Sequence, residues 1–167
     1  MTFKIAVVFC LLLVGLAILF PITGGEIHTS PKTQCLSNLK QNGLAFAMYA
    51  NDYDDRFPPS KGWMDLLKPY TKSEQILHCP LLMPKNWKPE DDLTKVPYGY
   101  AMNRFLALAN DQKLAEPDKM PLAYETTDLG RSASGYLTDV PNPGRHAGKN
   151  IFVFADFHAK ALGSNPP

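Results

Sequence analysis

Residues 30–53, SPKTQCLSNLKQNGLAFAMYANDY, carry the pattern that decides the fold. Serine is a favoured helix N-cap, and the proline that follows it suits the first helical turn. Apolar side chains then recur at helical spacing on one face: Leu36, Leu39, Gly43, Phe46, Ala47, Ala50 and Tyr53. The RFPP sequence at 56–59 ends this pattern, because proline cannot continue a helix. We therefore predict an amphipathic helix of about 20 residues that packs on a sheet.

The segments after this helix predict a small α+β domain. Fifteen prolines against eleven glycines indicate many turns and few other long helices. Apolar periodicity, β-branched and aromatic content and breaker residues predict the following elements: a helical turn at 63–67, an extended segment at 97–102, a surface helix at 104–115, a strand at 121–126, a loop at 128–150 and a strand at 150–160.

The run at 5–22, IAVVFCLLLVGLAILFPI, contains no charge and is just long enough to cross a bilayer. Lys4 precedes it and Glu26 follows it, so the positive-inside tendency exports the rest of the chain. We expect a single-pass protein of the bacterial cytoplasmic membrane, with its domain on the extracytoplasmic, periplasmic side. The boundaries are 1–25 for the anchor or signal, 26–163 for the exported domain and 164–167 for a frayed tail.

A cleaved secretory signal is the alternative interpretation of this run. Thr23-Gly24-Gly25 offers small residues for cleavage, and the same glycines interrupt any helix that continues from the membrane. The run exceeds the about 7–15 apolar residues of a signal core, which favours a retained anchor. Cleavage would instead produce a freely secreted binding domain.

Charge and cysteine content narrow the partners and the compartment. The formal net charge of +1 lacks the basic excess of nucleic-acid-binding proteins. Cys10 lies in the apolar run, which leaves Cys35 and Cys79 in the exported part. An even pair outside the cytoplasm usually forms a disulfide, so we predict a Cys35–Cys79 bridge. Two unpaired buried thiols are the alternative.

Several short motifs occur together in a characteristic order. They are CLSNLKQ at 35–41, AFAMYANDY at 45–53, FPP at 57–59, CP at 79–80, YGY at 98–100 and RHAGKN at 145–150, followed by FADFH at 154–158. His146 and Asp156 are separated by nine residues. In this combination the chain resembles bacterial pilin-like proteins that have a prepilin-type N-terminus and a C-terminal signature of His, nine residues, then Asp-Gly.

The resemblance implies a pilin or type II secretion pseudopilin-like fold. A long N-terminal helix, embedded in the membrane over its first part and interrupted here near Gly24-Gly25, would pack on a small antiparallel sheet. Phe157 stands where the family has Gly, so a plain strand is expected there. The implied function is a structural component of the cell envelope rather than an enzyme. Its partners would be the bilayer, through residues 5–22, and envelope or secretion-system proteins, self-assembly included.

Candidate chemistry is confined to His146, Asp156 and His158. Asp156 and His158 would point to the same side of a strand, and His146 could fold back beside them to complete a zinc site. Alternatively, Asp156 accepts a hydrogen bond from His146 and fixes the loop to the strand. The second interpretation is favoured, so we expect no metal, no cofactor and no catalytic residue. The runner-up function is a membrane-tethered, metal-dependent hydrolase that uses these three residues.

Overall fold

The computed structural model describes residues 30–88 and 90–164, together with positions 5, 12, 14 and 15. Within this part of the chain, no helix combines the length and the apolar content needed to cross a bilayer. The predicted anchor at 5–22 lies almost wholly outside the described residues, as do the break at Gly24-Gly25 and the cleavage position. Ser164 donates a hydrogen bond to Pro141 O over 2.8 Å, and the rest of the predicted tail also lies outside.

Helix α1 spans Pro31–Asp52, as the sequence predicts. Ser30 caps its start, since the Ser30 hydroxyl accepts a hydrogen bond from Thr33 N over 3.2 Å. The buried face consists of Cys35, Leu39, Asn42, Gly43, Ala45, Phe46, Tyr49 and Ala50. A Cβ added at Gly43 would meet Val153 Cγ2 at 2.7 Å. This glycine therefore lets the helix approach the sheet more closely than any other residue would.

A five-stranded sheet packs against α1. The strands are β1 Tyr100–Asn103, β2 Pro121–Glu125, β3 Ala133–Gly135, β4 Asn150–Phe154 and β5 Ala159–Leu162. Their spatial order is β3-β1-β2-β4-β5. All neighbouring pairs are antiparallel except β1 and β3, which run parallel. Glu125 of β2 lies opposite Tyr100 of β1 in this register.

The predicted pilin-like fold is wrong for the residues that the structure describes. Their only long helix is α1, which begins at Pro31. In the described part of the chain, α1 is not preceded by the long N-terminal helix of a pilin. The sheet is mixed rather than antiparallel, because β3 forms within the predicted loop and lies beside β1. The chain reverses after β2 and places β3 on the far side of β1. The described residues instead form one long helix and a five-stranded mixed sheet.

Three smaller predictions have different outcomes. Helix α2, Trp63–Leu67, forms as expected. The prediction of a surface helix at 104–115 is wrong, since only the 3-10 turns Arg104–Leu106 and Asp111–Lys113 form there. The single strand at 150–160 is also wrong, because β4 and β5 are separate strands. Phe157 turns the chain between them with a φ of 68°, and its ring packs edge-on against Phe57 at 6.2 Å.

The sheet has two apolar faces with different cover. One face packs on α1 and α2, where Trp63 stacks on Phe46 at 5.3 Å and donates its indole N–H to Ala133 O over 2.9 Å. The opposite face carries a smaller cluster: Ala101, Tyr124, Ala133, Phe152 and Phe154, under Leu137, Val140 and Leu162. Because side chains alternate along a strand, Glu125 lies on the α1 face when Tyr124 lies on the other.

Candidate metal centre

Glu125 is the centre of a buried polar cluster between α1 and the sheet. Its side chain is completely buried at the end of β2, which is flanked by β1 and β4. Glu125 Oε2 accepts a hydrogen bond from Ile151 N over 2.7 Å. This bond fixes the carboxylate so that Oε1 faces the other members of the cluster. A carboxylate in such a place needs partners, because an unpaired buried charge is costly.

Two cysteines approach the same carboxylate oxygen from different segments. Cys35, in the second turn of α1, places Sγ 3.2 Å from Glu125 Oε1 and 3.1 Å from Tyr100 Oη. Cys79 follows a 3-10 turn at Glu74–Leu77 and places Sγ 3.3 Å from the same oxygen. Both cysteines are completely buried.

His146 enters from the tight loop that precedes β4. Its backbone N–H donates to Lys149 O over 2.7 Å, and Gly144 forms a β-bridge with Gly148. A Cβ at Gly144 would lie 2.5 Å from the Lys149 backbone, so this loop requires glycine there. His146 Nε2 consequently reaches Glu125 Oε1 at 2.8 Å, with the residue only 4% exposed.

Arg145, the neighbour of His146, supplies a positive charge beside the cluster. Its Nη1 lies 3.3 Å from Glu125 Oε1 and donates to Gly99 O over 3.1 Å. Its Nη2 donates to Thr126 O over 2.6 Å. The guanidinium therefore compensates the carboxylate and is itself held by two backbone carbonyls.

Burial and mutual contact shift the pKa values of this cluster in opposite directions. Burial raises the pKa of Cys35, whereas the hydrogen bond from Cys35 lowers the pKa of Cys79. Burial alone would raise the pKa of Glu125, but contacts with His146, Ile151 N and Arg145 outweigh it and lower that pKa. Burial opposes protonation of His146, yet the Glu125 carboxylate raises its pKa above the ordinary value.

One ligand atom from each of Cys35, Cys79, Glu125 and His146 lies within 4.8 Å of the other three. In the described part of the chain, this is the one group of three or more cysteine, histidine or acidic side chains so arranged. Two sulfurs, an imidazole nitrogen and a carboxylate oxygen form a donor set that suits zinc. All four residues are buried, with at most 4% of any of them exposed.

The structure separates the three residues that the sequence proposed as a metal set. His146 belongs to the Glu125 cluster, whereas Asp156 and His158 pair with each other between β4 and β5, with Asp156 Oδ1 2.6 Å from His158 Nδ1. The expected hydrogen bond between Asp156 and His146 is also wrong, because Glu125 takes that place. The turn at Phe157 breaks the strand alternation from which Asp156 and His158 are expected on the same side.

The predicted disulfide is not formed in this structure, where Cys35 and Cys79 are free and buried. Their side chains nevertheless meet in one cluster, as a bridge between them would require. The alternative of two unpaired buried thiols describes the observed state.

Glu125 is the member of the candidate site that the sequence interpretation does not identify. The strand prediction at 121–126 included it, but only as part of an apolar segment. A usable signal was present, because Glu125 is the one acid in the segment PLAYE, all of which is buried. Glutamate is almost never fully buried without a partner. A predicted buried strand that ends in glutamate therefore indicates a cation or a proton donor nearby.

Comparison with known proteins identifies no relative for this chain. No protein-family model, curated protein or solved structure matches it. The class of site is therefore defined by the four converging side chains alone: a closed cluster with the donor set of a zinc centre.

Proposed function

We propose that the folded domain is a non-catalytic zinc-binding module in which Cys35, Cys79, Glu125 and His146 hold one Zn²⁺. The observation that carries this proposal is the convergence of four ligand atoms within 4.8 Å at a buried point. Catalytic zinc sites keep an open position for water or substrate, and structural sites are closed. Burial of all four residues favours the structural role.

The distances in the cluster are close to those of a tetrahedral zinc site. With zinc–ligand bonds of about 2.0–2.3 Å, tetrahedral ligand atoms lie about 3.3–3.8 Å apart. Glu125 Oε1 lies 3.2 and 3.3 Å from the two sulfurs and 2.8 Å from His146 Nε2. Small outward shifts of these side chains bring the distances into the zinc range. Thiolate and imidazole ligands together favour zinc over magnesium or calcium.

Exchange of protons for zinc leaves the buried charge balanced. Without metal, two neutral thiols accompany the ion pair between Glu125 and Arg145, which joins side chains that are 0% and 12% exposed. When zinc binds, it replaces the two thiol protons, because thiolate is the ligand form. With His146 bound as the neutral imidazole, the charges of Zn²⁺, two thiolates, Glu125 and Arg145 then cancel. This balance supports a divalent cation, because an unbalanced buried charge is strongly disfavoured.

Further groups around the cluster have the character of an outer ligand shell. The Tyr100 hydroxyl contacts Cys35 Sγ at 3.1 Å, and burial raises the pKa of this tyrosine, which keeps it a hydrogen-bond donor. Ile151 N–H holds the second oxygen of Glu125. Such contacts orient metal ligands and tune their affinity.

The metal would join four parts of the fold: α1, the segment after Leu77, the end of β2 and the loop before β4. Glu125 is separated in sequence by 90 residues from Cys35, 46 from Cys79 and 21 from His146. Zinc that binds only the native arrangement stabilises the fold by mass action.

We place this module at the bacterial cytoplasmic membrane, tethered on its extracytoplasmic side by residues 5–22. The uncharged run and Lys4 before it support this placement. A closed site leaves protein–protein contact, with envelope or secretion-system proteins, as the mode of action. Fractionation and protease treatment of intact spheroplasts test the placement. A domain that is protected in spheroplasts and digested only after lysis would contradict it.

The zinc site is tested by metal analysis of the full-length chain, purified with Zn²⁺ and then dialysed. We expect one zinc per chain and a melting temperature that falls when a chelator removes the metal. Cys79→Ser should lose the zinc. Cys10→Ser is the matched control and should retain it, because Cys10 is not one of the four proposed ligands. Equal zinc content in the two variants would contradict the proposed site.

A further inference from the structure

We infer that the proposed zinc site is also a redox switch, in which a disulfide between Cys35 and Cys79 forms and the metal is released. This inference rests on the proposed function. Both states use the same two sulfur atoms, so the chain can adopt only one of them at a time. The structure records the two cysteines as free, with both sulfurs directed at Glu125 Oε1.

The backbone around the two cysteines keeps their side chains together. Asn38 Nδ2 donates to His78 O and Asn42 Nδ2 donates to Ile76 O, each over 3.0 Å. These bonds join α1 to the segment that carries Cys79. Cys79 N also donates to Tyr98 O over 2.8 Å. The two sulfurs lie within 4.8 Å of each other, so the side chains must move to close this gap to a bond of about 2.0 Å.

The other two ligands, Glu125 and His146, still have partners when the two sulfurs have formed a disulfide. Glu125 keeps the hydrogen bond from Ile151 N, the contact with His146 Nε2 and the ion pair with Arg145. The oxidised state therefore contains no unpaired buried carboxylate. Zinc, by contrast, loses two of its four ligands and dissociates. The fold is thus able to hold either state.

The chemistry needs a two-electron oxidant, for which we name a peroxide. One zinc-bound thiolate attacks a peroxide oxygen, the O–O bond breaks, and a sulfenic acid and hydroxide form. The second thiolate attacks the sulfenic sulfur, the S–S bond forms, and the sulfenic oxygen leaves as hydroxide. Two protons from solvent convert both hydroxides to water, and Zn²⁺ leaves as the hydrated ion. The sulfurs are oxidised and the peroxide is reduced.

The experiment uses the full-length Cys10→Ser chain, so that only Cys35 and Cys79 carry thiols. The zinc-loaded protein is treated with hydrogen peroxide, and released Zn²⁺ is measured with a chromophoric chelator. We expect release of the bound zinc, loss of both thiols and a mass decrease of about 2 Da relative to the metal-free reduced chain. Dithiothreitol followed by Zn²⁺ should restore the loaded state.

Two comparisons separate failure of the switch from failure of the site. A chain that never binds Zn²⁺ overturns the proposed function and the switch with it. A chain that binds Zn²⁺ but keeps it under peroxide, or releases it without an internal disulfide, overturns the switch alone. His146→Gln is the second variant, because it lacks a zinc ligand and keeps both thiols. It should still form the disulfide, and its failure to do so also overturns the switch.

Discussion

The Glu125 cluster and the turn between β4 and β5 each bring a carboxylate against an imidazole. The distance is 2.8 Å from Glu125 to His146 and 2.6 Å from Asp156 to His158. The side chains of Glu125 and His146 are at most 1% exposed. Those of His158 and Asp156 are 41% and 35% exposed. The second pair therefore has access to water, and the first depends on protein groups.

The difference shows that carboxylate–histidine contact does not by itself define a metal centre. His158 stacks on Phe154 with their ring centroids 4.4 Å apart. Among the described residues, no third metal-ligating side chain joins Asp156 and His158. At the buried site, two sulfurs, an arginine and a backbone amide also surround the carboxylate. Burial and converging donors, rather than the pair, make the Glu125 cluster a candidate for zinc.

The largest effect is expected from Glu125→Gln. This change keeps the shape of the side chain and removes the negative charge of the carboxylate. It leaves the buried Arg145 without its ionic partner. We expect loss of bound zinc and a loss of stability of about 3–5 kcal/mol in urea unfolding. Glu116→Gln is the control: its ion pair with Lys119 is exposed, so a change below about 0.5 kcal/mol is expected. Similar losses in the two variants would remove Glu125 from its central role.

The two histidines allow a direct test of the comparison between the sites. We expect His146→Ala to abolish stoichiometric zinc, since it removes one of four ligands. His158→Ala should keep full zinc content, because His158 lies in the exposed turn with Asp156. Metal analysis of both purified variants checks this expectation. Loss of zinc in the His158 variant would show that zinc binds at the turn between β4 and β5 instead.

Tyr100→Phe should weaken zinc binding without abolishing it. The change removes the hydroxyl that contacts Cys35 Sγ at 3.1 Å and leaves the four ligands in place. Outer-shell contacts of this kind typically alter affinity by about 10–100-fold. Competition with a chelator of known affinity measures the change. Tyr124→Phe is the matched control, because its hydroxyl bonds Asp139 over 2.6 Å on the other sheet face.

The smallest effect is a pH dependence of the metal-free protein. Contact with Glu125 raises the pKa of His146 in the folded chain. The folded state thus binds the proton more tightly than the unfolded state, whose histidine pKa is about 6.5. The stabilisation is complete below that value and is lost as pH rises through the folded pKa. The slope is at most about 1.4 kcal/mol per pH unit. Urea unfolding in the presence of a chelator measures the free energy of unfolding at each pH. If His146→Gln has the same slope against pH, the pH dependence does not come from His146.

Local patterns account for the parts of the fold that the sequence predicts well. Helix α1 has a capping serine, helical apolar spacing and terminating prolines within one continuous segment. Helix α2 and strand β2 are similarly local. The parallel place of β3 beside β1 depends on where the chain packs after β2, and no local pattern contains that information.

The candidate site was predictable only in part for the same reason. The even number of exported cysteines predicts that Cys35 and Cys79 lie together, and His146 is predicted as a candidate ligand with Asp156 and His158. Glu125 joins them through the sheet register, in which it lies opposite Tyr100 and binds Ile151 N. Alternation along an unbroken strand predicts Asp156 and His158 on the same side, and the positive φ of Phe157 interrupts that alternation. Register and turn conformation, not residue type, decide which carboxylate meets the histidine.

The spread of the four ligands along the chain has a consequence for biosynthesis. The segment that contains Cys35 emerges from a ribosome or a translocon before the loop that contains His146. A nascent chain that extends past Cys79 but does not yet include His146 has both thiols and no complete coordination sphere. Metal occupancy would therefore distinguish chains in which β4 and β5 have joined the sheet from chains in which these strands have not yet emerged.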